Sequence, residues 1–216
     1  MPFFYLGTII AKRNSDINKL INFVFKDLVR TIQPLQVEEE IKKLLEIVKK
    51  EKPRFILEIG TAKGGTLFLF SQVIPDGANI ISVDLPKGEF GGGYSKWKIP
   101  FYKSFAKKNQ KINLLRANSH SEETFEKVKK ILNGNKLDFL FIDGDHSYEG
   151  VKKDFEMYSV LVKKNGVIAL HDILKHATEP ECQVNKFWDE IKKKNNFVEV
   201  IGDKKQGWAG IGIIKK

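Results

Sequence analysis

The sequence predicts a doubly wound α/β fold: a mostly parallel seven-stranded sheet with an antiparallel end and an N-terminal helical extension. Three observations predict it. Five short, nearly all-apolar runs, FILEIG, NIISVD, INLLRA, LDFLFID and GVIALHD, suit strands covered on both faces. Helix-period stretches separate these runs, the alternation that builds a parallel sheet. The last two runs, FVEVIG and AGIGII, are joined only by a short polar loop holding Asp203, Lys204, Lys205 and Gly207, so they pair antiparallel.

Taken in order, the chain opens with two amphipathic helices. From Ser15 to Arg30 the apolar residues Ile17, Leu20, Ile21, Val24, Phe25 and Leu28 recur at three- and four-residue steps behind a Ser15-Asp16 start signal. A second such pattern runs from Val37 to Lys50 and is closed by Pro53. Residues 1–52 are therefore read as a helical extension, a lid or a dimer contact, and residues 53–216 as the ligand-binding domain. Between the strands, helices are expected over Gly64–Val73, about Phe101–Lys108, Glu122–Leu132, Tyr148–Leu161 and Val184–Lys194. Ser119, three residues before Glu122, has capping-box spacing. The longest irregular piece, Leu85–Ile99, contains GEFGGGYSKW, and loops of this length in compact domains tend to carry function.

Composition narrows the classes. With 216 residues and 42% apolar side chains the chain buries a substantial core. No apolar run approaches the roughly 18 residues of a membrane span, and MPFFYLGTII lacks a basic region and cleavage site, so a cytoplasmic protein off the membrane is expected. The single cysteine, Cys182, excludes an intrachain disulfide and any site built from several thiolates. The net charge of +10 invites anionic partners, but only four of the 37 basic residues are arginine. Lys49-Lys50, Lys129-Lys130 and Lys192–Lys194 fit solvated helix ends, so nucleic acid is not expected and a small molecule is.

In a parallel sheet, ligands gather beyond the carboxyl ends of the strands. Glu58, Gly60 and Gly64 end or follow the first strand, Asp84 ends the second, and Ser119 and His120 follow the third. Asp143, Asp145 and His146 end the fourth, and His171 and Asp172 the fifth. All four histidines, His176 included, fall in or just beyond these segments, which argues for one cleft. Within Glu58-Ile59-Gly60-Thr61-Ala62-Lys63-Gly64 the fingerprint G-x-G-x-x-G is broken by Ala62, and no Lys-Ser or Lys-Thr completes a phosphate loop. The turn is either a ligand cradle or a close-packed helix entry. Asp84 can accept from both hydroxyls of a ribose, or cap its own loop. Ser119 and His120 can line an adenine, although a helix cap explains Ser119 equally well. The oxygen and nitrogen donors gathered at Asp143, Asp145, His146, His171 and Asp172 are of a kind that suits Mg²⁺, Mn²⁺ or Fe²⁺.

LEIGTAKGGT, the acid of ISVD, FIDGDHSYEGVKKDF and GVIALHD together resemble a class I S-adenosylmethionine-dependent methyltransferase. More narrowly, FIDGDH followed by HD resembles the group with antibiotic-sugar O-methyltransferases and cephalosporin hydroxylase-like proteins, over about Arg54–Lys216. The resemblance implies a Rossmann-like catalytic domain binding S-adenosylmethionine through Glu58, Gly60, Thr61, Gly64, Asp84, Ser119, His120 and Asp143. It also implies a divalent metal on Asp143, His171 and Asp172. His171 stands where the family usually carries an acid, which favours a metal softer than Mg²⁺. Methyl transfer to a sugar-like or phenolic hydroxyl needs a base, which Asp145 or His146 supplies. Tyr94 and Trp97 are expected to stack on the acceptor, and a homo-oligomer is possible through the leading helices. The competing enzyme reading is a non-haem iron oxygenase drawing two histidines and a carboxylate from His146, His171, Asp172 and His176. A noncatalytic or RNA-modifying protein held by its basic surface comes last.

Overall fold

The computed structural model describes residues 6–13, 15–88, 90 and 92–216. The first five residues of the opening segment, Asn14, and Glu89 and Gly91 of the glycine-rich loop lie outside them. Seven strands form one sheet in the order β3-β2-β1-β4-β5-β7-β6. They are β1 Phe55–Ile59, β2 Asn79–Asp84, β3 Lys111–Arg116, β4 Leu137–Ile142, β5 Val162–His171, β6 Phe197–Val200 and β7 Ile211–Lys215. β1 to β5 run parallel, whereas β7 is antiparallel to both β5 and β6. Nine α-helices accompany them among the described residues: α1 Leu6–Ala11, α2 Ile17–Asn22, α3 Val29–Ile32, α4 Glu38–Glu51, α5 Gly65–Val73, α6 Ile99–Lys103, α7 Glu122–Leu132, α8 Tyr148–Ser159 and α9 Val184–Ile191.

Alternation along each strand divides the core into two layers. Ile56, Ile80, Phe139, Phe141 and Ala169 join α2, α4, α5 and α6 on one face. Leu57, Ile81, Leu140, Ile142 and Ile168 join α7, α8 and α9 on the other. This is the period of two that makes a continuous apolar run a doubly covered strand. α5 is buried from Gly65 to Gln72, because α2 and α4 pack on it as well as the sheet. Phe68 meets Phe23 at a centroid distance of 5.5 Å, and Phe70 sits edge-on to Phe139 and Phe141. The leading helices thus share one hydrophobic cluster with the sheet.

Several boundaries differ from the sequence reading. The helix expected over Ser15–Arg30 is broken: α2 widens into a π-helical segment, Phe23–Asp27, closed by Leu28 N–H donating to Phe23 O, before α3 begins. The wide turn lets Phe23 and Val24, adjacent in sequence, both reach the core. The helix expected at Phe101–Lys108 is instead the single turn Lys96–Lys98 followed by α6, so the irregular loop is shorter than its composition suggested. Ser119 is not the cap of α7. Ser121 is, its Oγ accepting from Thr124 N–H at 3.2 Å. That leaves Ser119 outside the helix, its carbonyl accepting from the Tyr158 hydroxyl at 2.7 Å.

Glu40 on α4, fully buried, anchors the two ends of the chain. Its Oε1 accepts from Gly202 N–H and Gln206 Nε2, and its Oε2 from Gly210 N–H, at 2.7–2.9 Å. A buried carboxylate with three donors is satisfied rather than stranded. Among the described residues no helix is long and apolar enough to cross a membrane.

Candidate active site

The strand order reverses between β1 and β4, since β2 and β3 lie on one side of β1 while β4 and β5 lie on the other. A crevice opens at such a reversal, at the carboxyl ends of the strands. Register fixes what meets there. Ile59 pairs with Val83 and with Ile142, so Gly60, Asp84 and Asp143 emerge side by side. Gly60 N–H donates to Val83 O and Asp143 N–H to Ile59 O, each at 2.8 Å. Only glycine fits at position 60: φ is +98°, and a Cβ would stand 1.9 Å from the Asp143 carbonyl oxygen. Ala62, where the fingerprint would have glycine, still adopts a left-handed backbone at φ +43°.

On one side of this junction lies a cavity of about 360 Å³, lined by Gly60, Ala62, Asp84, Ser119, His120, Asp143 and Asp145 and walled by Leu85, Lys87, Gly88, Phe90 and Gly92. Asp84 is 4% exposed and accepts from Gly93 N–H at 2.9 Å. Burial raises its pKa, against the N–H donors of Gly93, Thr61, Ala62 and Tyr94. His120 Nε2 lies 3.2 Å from Gly150 O and 3.3 Å from the buried Asp154 Oδ1, and its pKa is raised, by the Asp154 hydrogen bond first, against burial. Glu58, Thr61 and Gly64 do not line this cavity. Glu58 lies beneath it, fully buried, its Oε2 accepting from Ser82 Oγ at 2.7 Å, and Ser82 in turn meets Thr61 Oγ1. Burial pushes Glu58 up to about 8, the hydroxyls of Thr66 and Ser82 offsetting this only in part. Through Ser82, Glu58 supports the turn from below. Gly64 starts α5 at φ +81°, with the Tyr102 ring where a Cβ would be.

On the other side lies a cavity of about 760 Å³, lined by Leu35, Phe90, Asp145, His146, His171, Asp172, His176, Glu179, Glu181 and Trp208. Phe90 and Asp145 line both cavities. Here the predicted Asp143, His171 and Asp172 converge, one donor atom of each lying within 4.8 Å of the others. His171 Nδ1 is 3.0 Å from Asp143 Oδ1 and 3.2 Å from Asp172 Oδ2. His146 bridges the same carboxylates, Nε2 at 3.6 Å from Asp143 and Nδ1 at 3.2 Å from Asp172, beneath a stacked Phe90 ring at 4.9 Å. Burial opposes its charge, but hydrogen bonds to Asp143 and Cys182 and the charges of Asp143 and Asp172 prevail, raising it to about 10. His171 is raised and Asp172 lowered by their mutual attraction, in both cases against burial. His176 Nε2 holds Asp172 Oδ1 at 2.9 Å. Asp172 itself sits at φ +62°, a conformation uncommon outside glycine and asparagine that recurs at functional sites.

Asp145 faces inward less freely than a base drawn from spacing alone. Its Oδ1 accepts from Ser147 N–H and Oγ at 3.0 and 2.7 Å, and Gly150 makes room for its carboxylate. Ser147, not an acid, caps α8. Tyr94 and Trp97 line neither cavity: Tyr94 is buried against Tyr102, and Trp97 is exposed. Phe90 and Trp208 are the aromatic walls instead. Gln36 was missed; its Nε2 donates to Asp143 Oδ2 at 2.8 Å from the segment between α3 and α4. Nothing in local sequence marks it, because its partner lies 107 residues away. Cys182, set aside as a lone cysteine, lies beside His146 and Asp172.

A family model described as a methyltransferase domain matches residues 57–173, which carry both halves of the cleft. An uncharacterized protein, R132, of Acanthamoeba polyphaga mimivirus is 32% identical over 68% of this chain and 66% of its own length. "Probable caffeoyl-CoA O-methyltransferase 1" of Dictyostelium discoideum is 24% identical over 88% of this chain and 79% of its own. The chain spans just under two thirds of the viral protein and 16% of a further curated relative. An O-methyltransferase from Bacillus cereus, solved in complex with SAH, superposes over the whole of both chains with a TM-score of 0.64 at 16% identity. With that fold, that cleft and that match over more than half its length, the chain belongs to the methyltransferase-domain family.

Proposed function

We propose that the chain transfers a methyl group from S-adenosylmethionine to a hydroxyl of a small acceptor, with a divalent cation at Asp143, His171 and Asp172. The observation that carries this reading is that the two cavities meet along Phe90 and Asp145, so a ligand in one abuts a ligand in the other. An in-line displacement needs that adjacency. The smaller cavity suits the adenosyl half: Asp84 offers its carboxylate to the ribose hydroxyls, and Ser119 and His120 lie farther along its wall. Its volume of about 360 Å³ lies within the range of small-molecule sites.

The donor set fits a cation. One imidazole nitrogen and two carboxylates converge, and without an ion their charges are balanced only by protons on the histidines. A divalent ion there supplies Lewis acidity, lowering the pKa of a hydroxyl bound beside it. Gln36 and His176 orient the two carboxylates. His146, held protonated by Asp143 and Asp172, becomes a base once those carboxylates are neutralised, and it faces the acceptor cavity. Asp145, already committed to Ser147, positions the loop.

The acceptor cavity carries Asp145, Asp172, Glu179 and Glu181, and no lysine or arginine among its described lining, although the chain bears +10. That favours a neutral or cationic polyhydroxylated or phenolic acceptor over an anionic thioester. The iron-oxygenase alternative leaves the Asp84 cavity without a use. Calorimetry with S-adenosylhomocysteine tests the reading: saturable binding, weakened by Asp84→Ala, is expected, and no heat from the wild-type chain would overturn it.

A further inference from the structure

Asp172 serves two donor groups. Beyond Asp143 and His171, it shares a second cluster with His146 and Cys182, in which one donor atom of each residue lies within 4.8 Å of the others. We infer that His146, Asp172 and Cys182 form a second seat, for a thiophilic divalent cation of the zinc class, adjoining the seat for the harder ion and sharing Asp172 with it.

The seat is built rather than accidental. Gln183 N–H donates to the His146 carbonyl at 2.7 Å, which fastens the residue after Cys182 to the backbone of the second donor. Cys182 N–H donates to Glu179 O at 3.1 Å, closing the turn that presents the thiol. Phe90 stacks on the His146 ring and limits its rotation. His176 fixes Asp172 through Oδ1, and Oδ2 lies 3.2 Å from His146 Nδ1 and equally 3.2 Å from His171 Nδ1, so the two seats share that oxygen. That spacing is close to the separation of neighbouring ligands around a tetrahedral ion with bonds of about 2.0–2.1 Å. Cysteine sulfur, imidazole nitrogen and carboxylate oxygen are the three donor types zinc takes, whereas magnesium binds oxygen and has no use for a thiolate. His146 and Asp172 line the larger cavity, which leaves the fourth position open to solvent or ligand.

The seat does not depend on the methyl-transfer reading. One consequence does: an ion on His146 competes with the proton that the acceptor must deliver there, so a soft cation acts as a brake.

Cobalt(II) is the probe, because a cysteine ligand to it gives an intense near-ultraviolet charge-transfer band that oxygen and nitrogen ligands do not. The full chain titrated with Co²⁺ is expected to show that band, to lose it on addition of Zn²⁺, and to release the thiol proton on binding. Cys182→Ser and Cys182→Ala should both abolish the band, while the visible ligand-field absorption from Co²⁺ at Asp143 and His171 persists. Folding of each variant is checked by its thermal transition. Cobalt bound without the band in the wild-type chain, or a band surviving in both variants, overturns the seat. Neither result bears on S-adenosylhomocysteine binding, so the two readings fail separately.

Discussion

Along the first three strands the cleft is walled by backbone and small side chains, Gly60, Ala62 and Ser119, with Asp84, His120 and Lys87 the ionisable side chains among its described lining there. Along the fourth and fifth it is a net of imidazoles and carboxylates, His146, His171, His176, Asp143 and Asp172. In the proposed reading the first side recognises shape and hydroxyls. The second holds imidazoles and carboxylates in mutual contact, the donors on which the proposed cation would draw. The contrast separates binding from chemistry: damage to one side should read out as affinity, to the other as turnover.

The largest effect is expected from Asp172→Asn. Asparagine tolerates the positive φ, so the backbone survives, but the second carboxylate is lost. Turnover should fall on the order of 10²–10³-fold while S-adenosylhomocysteine affinity holds. Calorimetry beside a methyl-transfer assay checks this, and an equal loss of affinity would erase the distinction between the two sides. Asp84→Ala is the converse. Two charge-assisted hydrogen bonds to a ribose disappear, so S-adenosylhomocysteine affinity should fall about 10–100-fold. Mn²⁺ binding, followed by electron paramagnetic resonance, should not change.

A third test uses pH. Burial pushes the Glu58 carboxyl up to about 8 in the folded chain, whereas in an unfolded chain it releases its proton near the ordinary 4.5. Between these values the unfolded state binds fewer protons, so stability falls as pH rises through the window and is flat below it. Glu58→Gln should flatten the slope of the melting temperature between those limits by a few degrees. An unchanged slope would show that Glu58 is ionised in the folded protein.

How much of this was legible in the sequence follows from the range of the interactions. The seven strands and the carboxyl-edge residues were readable because apolar runs and β–α alternation are local signals. So were Asp143, His171 and Asp172, each at a strand end. The break at Phe23–Asp27 was not, since its apolar steps fit an ordinary helix and only packing on Phe68 selects the wider turn. Gln36, Glu40 and Cys182 were invisible for the opposite reason: their partners are fixed by topology, with 107 residues from Gln36 to Asp143 and 162 from Glu40 to Gly202. The Ser82 hydroxyl that holds Glu58 was equally hidden, because a motif names a position and not the direction its side chain takes. Tyr94 and Trp97 misled because aromatic residues in a long loop anchor it as readily as they greet a ligand.

The smallest expected effect lies where the turn departs from the glycine fingerprint. Ala62 holds φ at +43°, a region that costs a residue with a Cβ roughly 1–2 kcal/mol. Glycine there would relieve that strain but add freedom to the unfolded chain, worth about 0.4–1 kcal/mol in the other direction. The difference leaves Ala62→Gly stabilising by about 0.5 kcal/mol, a rise in melting temperature of about 1–2 °C for a chain of this size. Because Ala62 touches the smaller cavity, proposed for the adenosyl half, and not the charge net, S-adenosylhomocysteine affinity is the quantity to compare alongside it. A melting temperature that drops would mean that the methyl group packs usefully in the turn and that the departure from glycine is a fitted feature of this side of the cleft.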